Sequence, residues 1–328
     1  MTDERYAVGV DLGGTFIKAG LVDADGKLSR MVSFETQADR GRDVVVGNIV
    51  KAAEAALTEA RVGWDQVCGV GVGTPGILDF GRGLLIFAPN LGCLDHAPLA
   101  RLVKERLARD VGVFVENDAN CAAYGEMWAG GDRAVHSLVF FTLGTGIGGG
   151  IILEGRIWHG ARGVGAELGH QTLFPHGRYV CGCGNRGCLE AYASAPAVAR
   201  RFCDAVKEGR PSRLAERVRA GEPVTSEDIY NAAVAGDALS LETMRETGAI
   251  LGIAVTNVVN ILDPQVIVFG GGMTAAGDML LRPIIEEAER RLYGPKLEGV
   301  TVRFDRLGNA AGLIGAAGCA FNRSGISA

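Results

Sequence analysis

"YAVGVDLGGTFIKAGLVD", residues 6–23, is the stretch on which the fold turns. Tyr6 to Val10 form an uninterrupted run without charge, which reads as a buried strand. "DLGG" then breaks the run with two glycines, and "FIKAGLVD" reads as a second strand. The turn between them carries an acid, a hydroxyl and a cation: Asp11, Thr15 and Lys18. Glycines such as Gly13 and Gly14 let backbone N–H groups approach an anion, and an acid, a hydroxyl and a cation beside them suit the phosphate chain of a magnesium nucleotide.

The pattern continues outward. "KLSRMVSFET" (27–36) reads as a third strand. Val45, Ile49, Ala53, Ala56, Leu57 and Ala60 recur at helical spacing. "VCGVGVGTPG" (67–76) is a strand entering a glycine turn, "APLARLVKERLARD" (97–110) an amphipathic helix and "VGVFVEND" (111–118) another strand. The first ~120 residues thus run β-β-β-α-β-α-β. The second half repeats this opening: "SLVFFTLGTGIGGG" (137–150) is a strand and a glycine loop, and "GIILEGRIWHG" extends a β meander. Helices follow, with Ser194 as a candidate cap, "TSED" (225–228) resembling a capping box, and a long helix over about 238–262. "QVIVFGGG" (265–272) is a buried strand with a third glycine loop, and a Gly/Ala-rich helix over about 310–321 should pack closely on a neighbour. Two halves with the same opening predict a duplicated α/β core with a cleft between. The boundary is expected just after Asp118: a smaller α/β domain of residues 1–118, completed by the C-terminal helix (310–328), and a larger one of residues 119–309.

Gly144, Gly146 and Gly149 fit G-x-G-x-x-G, but a dinucleotide site needs a helix next, and "IILEGRIW" reads as strand. No G-x-x-x-x-G-K-[ST] loop exists. Lys plus Arg is 33 against 38 for Asp plus Glu, a net charge of −5 without a basic run, which argues against a nucleic-acid partner. No apolar run is long enough to span a membrane, and the first residues, "MTDERYAVGV", do not read as a secretory signal, so a cytoplasmic protein is expected. Of the eight cysteines, Cys68, Cys93, Cys121, Cys203 and Cys319 are scattered, whereas Cys181, Cys183 and Cys188 crowd into eight residues with His170 nearby. A metal site, a redox pair and half of a disulfide framework are the readings of that cluster. A reduced compartment makes the disulfide reading the weakest, and C-x-C spacing is unusual for a redox pair.

"DLGGTFIK", "ENDAN", "LGTGIGGG", "GAELGH" and "CGCGNRGCLE" occur in that order, from residue 11 to 190. Together they resemble the ROK family of sugar kinases and repressors, most of all its bacterial glucokinase branch. The resemblance implies an actin-like, ribonuclease H-like fold of two domains with a central cleft, and ATP-dependent phosphorylation of glucose. Other hexoses or N-acetylhexosamines are alternative substrates within the family, and polyphosphate an alternative donor. It implies that Asp11, Gly13, Gly14, Thr15, Lys18, Gly144, Thr145, Gly146 and Gly148 cradle the phosphates of Mg2+-ATP, with Gly270, Gly271 and Gly272 near the nucleoside. It further implies one zinc ion on His170, Cys181, Cys183 and Cys188. One imidazole and three thiolates make a closed tetrahedral set, so that ion would be structural.

If one His170 nitrogen binds the ion, the other can reach a sugar hydroxyl. Glu167 and Glu190 flank the cluster and are expected to bind the sugar with it, whereas His159 and His176 are expected at the surface. Phosphoryl transfer to a hydroxyl needs a carboxylate to take its proton. Asp118 resembles the family's catalytic base, Asn117 would bond a sugar hydroxyl, and Asn90 is a candidate at the cleft rim. Alternatively, Asn117 and Asp118 simply cap the helix "ANCAAYGEMWAG". The repressors of the family carry a helix-turn-helix before this core, for which the sequence ahead of Tyr6 leaves no room. A homodimer is common in the family.

Overall fold

The computed structural model describes residues 5–131 and 134–324. The chain divides into two compact units. The first contains residues 1–136, 150–166 and 305–328, and the second residues 137–149 and 167–304. The first division therefore falls after residue 136 and not after Asp118.

The first unit opens with strands β1 (Tyr6–Leu12), β2 (Phe16–Asp23) and β3 (Leu28–Glu35), then helix α1 (Arg42–Ala60) and strand β4 (Val67–Thr74). A small hairpin follows, β5 (Ile77–Asp79) and β6 (Leu84–Phe87), then α2 (Leu99–Leu107), β7 (Gly112–Asn117) and α3 (Asp118–Trp128). Its sheet has the order β3-β2-β1-β4-β7. β1 pairs antiparallel with β2 and parallel with β4, and β4 pairs parallel with β7. The strand ends of β1, β4 and β7 thus point the same way and present Asp11, Thr74 and Asn117 along one edge.

The second glycine-loop region begins with β8 (Leu138–Leu143), β9 (Ile147–Leu153) and β10 (Arg156–Ile157). Helices α4 (Glu190–Ala193), α5 (Ala195–Lys207), α6 (Ala215–Arg219), α7 (Ser226–Val234) and α8 (Ala238–Leu262) come next. Strand β11 (Val266–Gly270), α9 (Asp278–Arg291), β12 (Thr301–Phe304) and α10 (Ala311–Arg323) complete the chain. The second sheet, β10-β9-β8-β11-β12, repeats the strand order of the first, with β8, β11 and β12 parallel. Phe141 and Phe269 stack at 5.1 Å in its core.

The Gly/Ala-rich helix α10 lies in the first unit, packed on β1, β4 and α3. The approach is backbone to backbone. A Cβ on Gly9 or Gly71 would strike the Leu313 or Ala316 carbonyl, and one on Gly315 would strike the Cys121 carbonyl. The buried Glu126 of α3 accepts the N–H groups of Arg306 and Leu307, both at 2.8 Å, and so fixes the chain entering α10.

Candidate active site and metal centre

In the first unit, Asp11 stands next to last in β1, opposite Lys18, whose Nζ lies 3.8 Å from Oδ2. Burial raises the Asp11 carboxyl above the usual range, and the Lys18 cation opposes that rise. The first turn of α10 runs alongside: a Cβ on Gly312 would stand 3.7 Å from the Asp11 carboxyl carbon. The Gly13 N–H donates to the Phe16 carbonyl at 3.0 Å, and Thr36 Oγ1 donates to the Gly13 carbonyl at 2.7 Å. A Cβ on Gly14 would come within 3.0 Å of the Asn90 Cβ, so Asn90 packs on this loop, with Thr15 exposed beside it.

At the junction of β7 and α3, Asn117 is the N-cap. Its Oδ1 accepts from the N–H groups of Ala119 at 3.0 Å and Asn120 at 3.2 Å. Its Nδ2 makes a long hydrogen bond, 3.4 Å, to the Gly76 carbonyl. Asp118 Oδ1 also accepts from Ala119 N–H, at 2.9 Å. The cap and the adjacent carboxylate are thus different residues, both half-buried.

In the second unit, the loop after β8 is tied at three points. Gly144 N–H donates to the Gly146 carbonyl at 3.0 Å, Gly148 N–H to Thr142 Oγ1 at 2.8 Å, and Ile147 N–H to Glu190 Oε2 at 2.9 Å. Gly271, at φ 97°, packs on the same region, since a Cβ there would lie 2.6 Å from the Leu143 carbonyl oxygen. Gly144, Thr145 and Gly272 line a cavity of about 450 Å³ whose far wall is Glu227, Tyr230 and Asn231 of α7. Gly270 ends the buried strand β11 behind it. The α7 wall was not anticipated from sequence: its residues lie some eighty positions from the glycine loop. The box that starts α7 was. Thr225 Oγ1 accepts from Asp228 N–H, and the Asp228 carboxylate accepts from Thr225 N–H. Ser194 stands at the N-cap of α5 but makes no side-chain cap bond.

The ligand atoms of His170, Cys181, Cys183 and Cys188 all lie within 4.8 Å of one another. His170 Nδ1 is 3.6 Å from Cys181 Sγ, and the sulfurs of Cys183 and Cys188 are 3.8 Å apart. Tetrahedral ligands at about 2.3 Å (sulfur) and about 2.0 Å (nitrogen) stand roughly 3.5–3.8 Å apart, so this set fits one small ion. Burial pushes the Cys181 thiol up to about 12 and raises that of Cys188, while the Asn185 N–H lowers that of Cys183. A cation among them would be needed to hold all three as thiolates near neutral pH. The segment is shaped by backbone bonds from Cys181 N–H to the Asn185 carbonyl (2.8 Å) and from Leu189 N–H to the Gln171 carbonyl (2.9 Å).

His170 turns its other nitrogen, Nε2, toward Glu167 Oε2 at 3.9 Å. Glu190 does more than flank the cluster: Oε1 receives the Cys181 thiol at 3.4 Å while Oε2 holds Ile147. The 3-10 turn at Leu168–His170 also packs on that loop, because a Cβ on Gly169 would strike the Ile147 carbonyl. His176 is exposed. His159 is not at the surface as expected; it is partly buried, with Nε2 2.8 Å from Glu116 Oε2.

The twice-repeated five-stranded sheet with a glycine turn after its first strand defines an actin-like α/β ATPase fold. The model of the ROK family matches residues 7–322, and the chain belongs to that family. It is 38% identical to the glucokinase of Halalkalibacterium halodurans, over 95% of this chain and 94% of the relative. The ROK hexokinase of Thermus thermophilus matches with a TM-score of 0.80 at 35% identity, covering 97% of this chain and 98% of its own. A ROK family glucokinase from Streptomyces griseus, solved in complex with glucose and AMPPNP, matches with a TM-score of 0.78 at 34% identity, covering 97% and 99%.

Proposed function

We propose that this protein is an ATP-dependent glucokinase, transferring the γ-phosphoryl group of ATP to the 6-hydroxyl of glucose. The observation that carries the reading is the division of labour at the β7–α3 junction. Asn117 receives both cap N–H groups and Asp118 shares only that of Ala119, so the helix start does not rest on Asp118 alone. Asp118 accepts the hydroxyl proton as the sugar oxygen attacks the γ-phosphorus and ADP leaves. Asn117 keeps amide hydrogen for a sugar hydroxyl; in the second unit, Glu167, His170 and Glu190 are assigned to sugar recognition. Asn90 packs on the Asp11–Thr15 loop, which suits a place beside the transferring phosphate.

The cavity between the glycine loops and α7 suits a nucleoside, with Thr145 and Gly146 toward its phosphates and Tyr230 against its base. Gly148 stands behind that loop, and in the first unit Gly13, Gly14, Thr15 and Lys18 are assigned to phosphate binding. Mg2+ bound with ATP would neutralise phosphate charge, and we assign Asp11 to hold it. The four-residue cluster suits Zn2+ in a closed structural site that shapes the sugar-reading segment. No helix among the described residues is long and apolar enough to cross a membrane. We assign the protein to the cytoplasm, as a glycolytic homodimer without a nucleic-acid partner. A coupled assay over glucose, mannose, fructose, N-acetylglucosamine and N-acetylmannosamine, each with ATP and with polyphosphate, tests the reading. Glucose with ATP should give the highest kcat/KM, and preference for an acetamido sugar or for polyphosphate would overturn it.

A further inference from the structure

Glu116 is 3% exposed, and no step above uses it. Its Oε1 accepts the Asn117 N–H at 3.0 Å and the Asn120 side-chain amide at 2.9 Å. Its Oε2 meets His159 Nε2 at 2.8 Å, with the Arg323 guanidinium 3.8 Å away. Asn120 Oδ1 has no hydrogen-bond partner among the described residues. The contact of Asn120 Nδ2 with Glu116 fixes the amide, because exchanging its ends would set oxygen against carboxylate. The His159 ring rests on Phe80 with centroids 3.9 Å apart. Phe80 in turn lies 3.3 Å from where a Cβ on Gly163 would stand.

We propose that His159, acting through Glu116, is a positioning residue for Asp118, an inference that rests on the kinase reading above. A buried carboxylate is tolerated only when its lone pairs are satisfied. Here the donors come from three stretches of chain: the β7–α3 junction, the first turn of α3, and the segment after β10. One donor is the N–H of Asn117, the residue that immediately precedes Asp118 and caps α3. The carboxylate therefore sets the backbone from which the Asp118 side chain departs. His159 holds the opposite oxygen and, through its contact with Phe80, keeps that carboxylate from rotating. A proton acceptor misplaced by about 1 Å can cost on the order of a hundredfold in rate without a matching loss of binding.

Two variants separate positioning from bulk support. His159→Phe keeps a ring on Phe80 and removes only the contact with Glu116, while His159→Gln keeps a donor. The Phe variant should lose roughly 10- to 100-fold in kcat with KM for glucose and ATP nearly unchanged, and the Gln variant should recover most of it. Hydrogen exchange should quicken at the amides of residues 117–120 in the Phe variant, a readout that needs no turnover. An unchanged kcat, equal impairment of Phe and Gln variants, or a loss explained by a lower melting temperature alone would overturn the proposal. A parent protein inactive on glucose would overturn the kinase reading instead, and unchanged exchange at residues 117–120 would then overturn the positioning role by itself.

Discussion

Glu190 Oε2 accepts the backbone N–H of Ile147 at 2.9 Å, occupying the space a side chain on residue 146 would need: a Cβ on Gly146 would lie 2.5 Å from the same oxygen. One carboxylate thus joins the glycine loop to the cysteine segment. A hydrogen bond to a charged group contributes about 1.5–3 kcal/mol, so Glu190→Ala should weaken ATP binding by roughly tenfold or more, in addition to any effect on the sugar. Glu167→Ala, which removes a carboxylate 3.9 Å from His170 Nε2, should affect the sugar alone. Calorimetric titration of both variants with glucose and with a non-hydrolysable ATP analogue checks the contrast. Parent-like nucleotide affinity in Glu190→Ala would remove the loop from its role.

The same link changes what metal removal should do. Purified protein should carry about one zinc per chain. A metal-binding segment that touched only the sugar would, on chelation, raise KM for glucose and leave that for ATP alone. Because Gly169 packs on the Ile147 carbonyl and Glu190 holds its N–H, chelation should raise both, with glucose the more affected. Metal analysis and steady-state kinetics before and after chelation decide it; zinc-free protein with unchanged kinetics would refute the assignment.

Asp228 links acid stability to the cavity proposed for the nucleoside. Its carboxyl is held down at about 2 by the Thr225 N–H, the Arg217 guanidinium and the Thr225 hydroxyl. A depressed carboxyl contributes stability that is complete above the unfolded value near 3.8 and is lost as pH falls through the folded value near 2. The gap in stability between the parent and Asp228→Asn should therefore be constant above about pH 5 and narrow steadily between about pH 4 and 2. Since α7 also lines the cavity through Glu227 and Tyr230, the variant should bind ATP more weakly at neutral pH. Denaturant melts across this pH range, and an ATP titration at pH 7, supply both tests.

Legibility in the sequence followed the range of the interactions. Where neighbours in the chain decide the structure, the reading succeeds: the β1–β2 hairpin, the Thr225–Asp228 box and the long α8 all rest on local patterns. His170, Cys181, Cys183 and Cys188 span only residues 170–188; the family resemblance names them as a set, and the fold brings their ligand atoms within 4.8 Å of one another. Where partners are distant it fails. His159 looked like a surface residue because Glu116 lies 43 positions away, and the α7 wall of the cavity belongs to the second glycine loop only after folding. Helix α9 carries Pro283 in its interior, which interrupts a helical pattern read from sequence. The expected boundary after Asp118 ignored how closely glycines let α3 and α10 pack, since Gly125 and Gly315 admit the opposing backbone.

Gly14 and Asn90 supply a test of the first loop. A side chain on residue 14 would press on the Asn90 Cβ at 3.0 Å and on its carbonyl at 3.3 Å. Gly14→Val should weaken nucleotide binding strongly, while Gly14→Ala should do so only as far as Asn90 fails to give way. Asn90→Gly should partly rescue Gly14→Ala by removing the Cβ that the new side chain meets. A rescue seen in ATP affinity but not in glucose affinity would tie the pair to the phosphates, and no difference among the three variants would dissociate the loop from the nucleotide.

On the proposed reading, Asp118 is the general base of the transfer. Asp118→Asn retains size and one acceptor, so the 2.9 Å bond from Ala119 N–H can persist, but the amide cannot take the hydroxyl proton. General-base catalysis contributes about 10²–10⁴-fold, and kcat should fall by roughly that factor with glucose affinity little changed. A residue serving only as a cap predicts the reverse, because Asn caps about as well as Asp. Here that role already belongs to Asn117, whose Oδ1 accepts from Ala119 and Asn120. Asn117→Ala should therefore cost about 1 kcal/mol of stability, the usual loss for a cap, whereas Asp118→Asn should leave the melting temperature nearly unchanged. Measuring kcat, glucose affinity and melting temperature on the two variants separates the roles. A kcat for Asp118→Asn within about threefold of the parent, far short of the general-base range, would remove Asp118 from the mechanism.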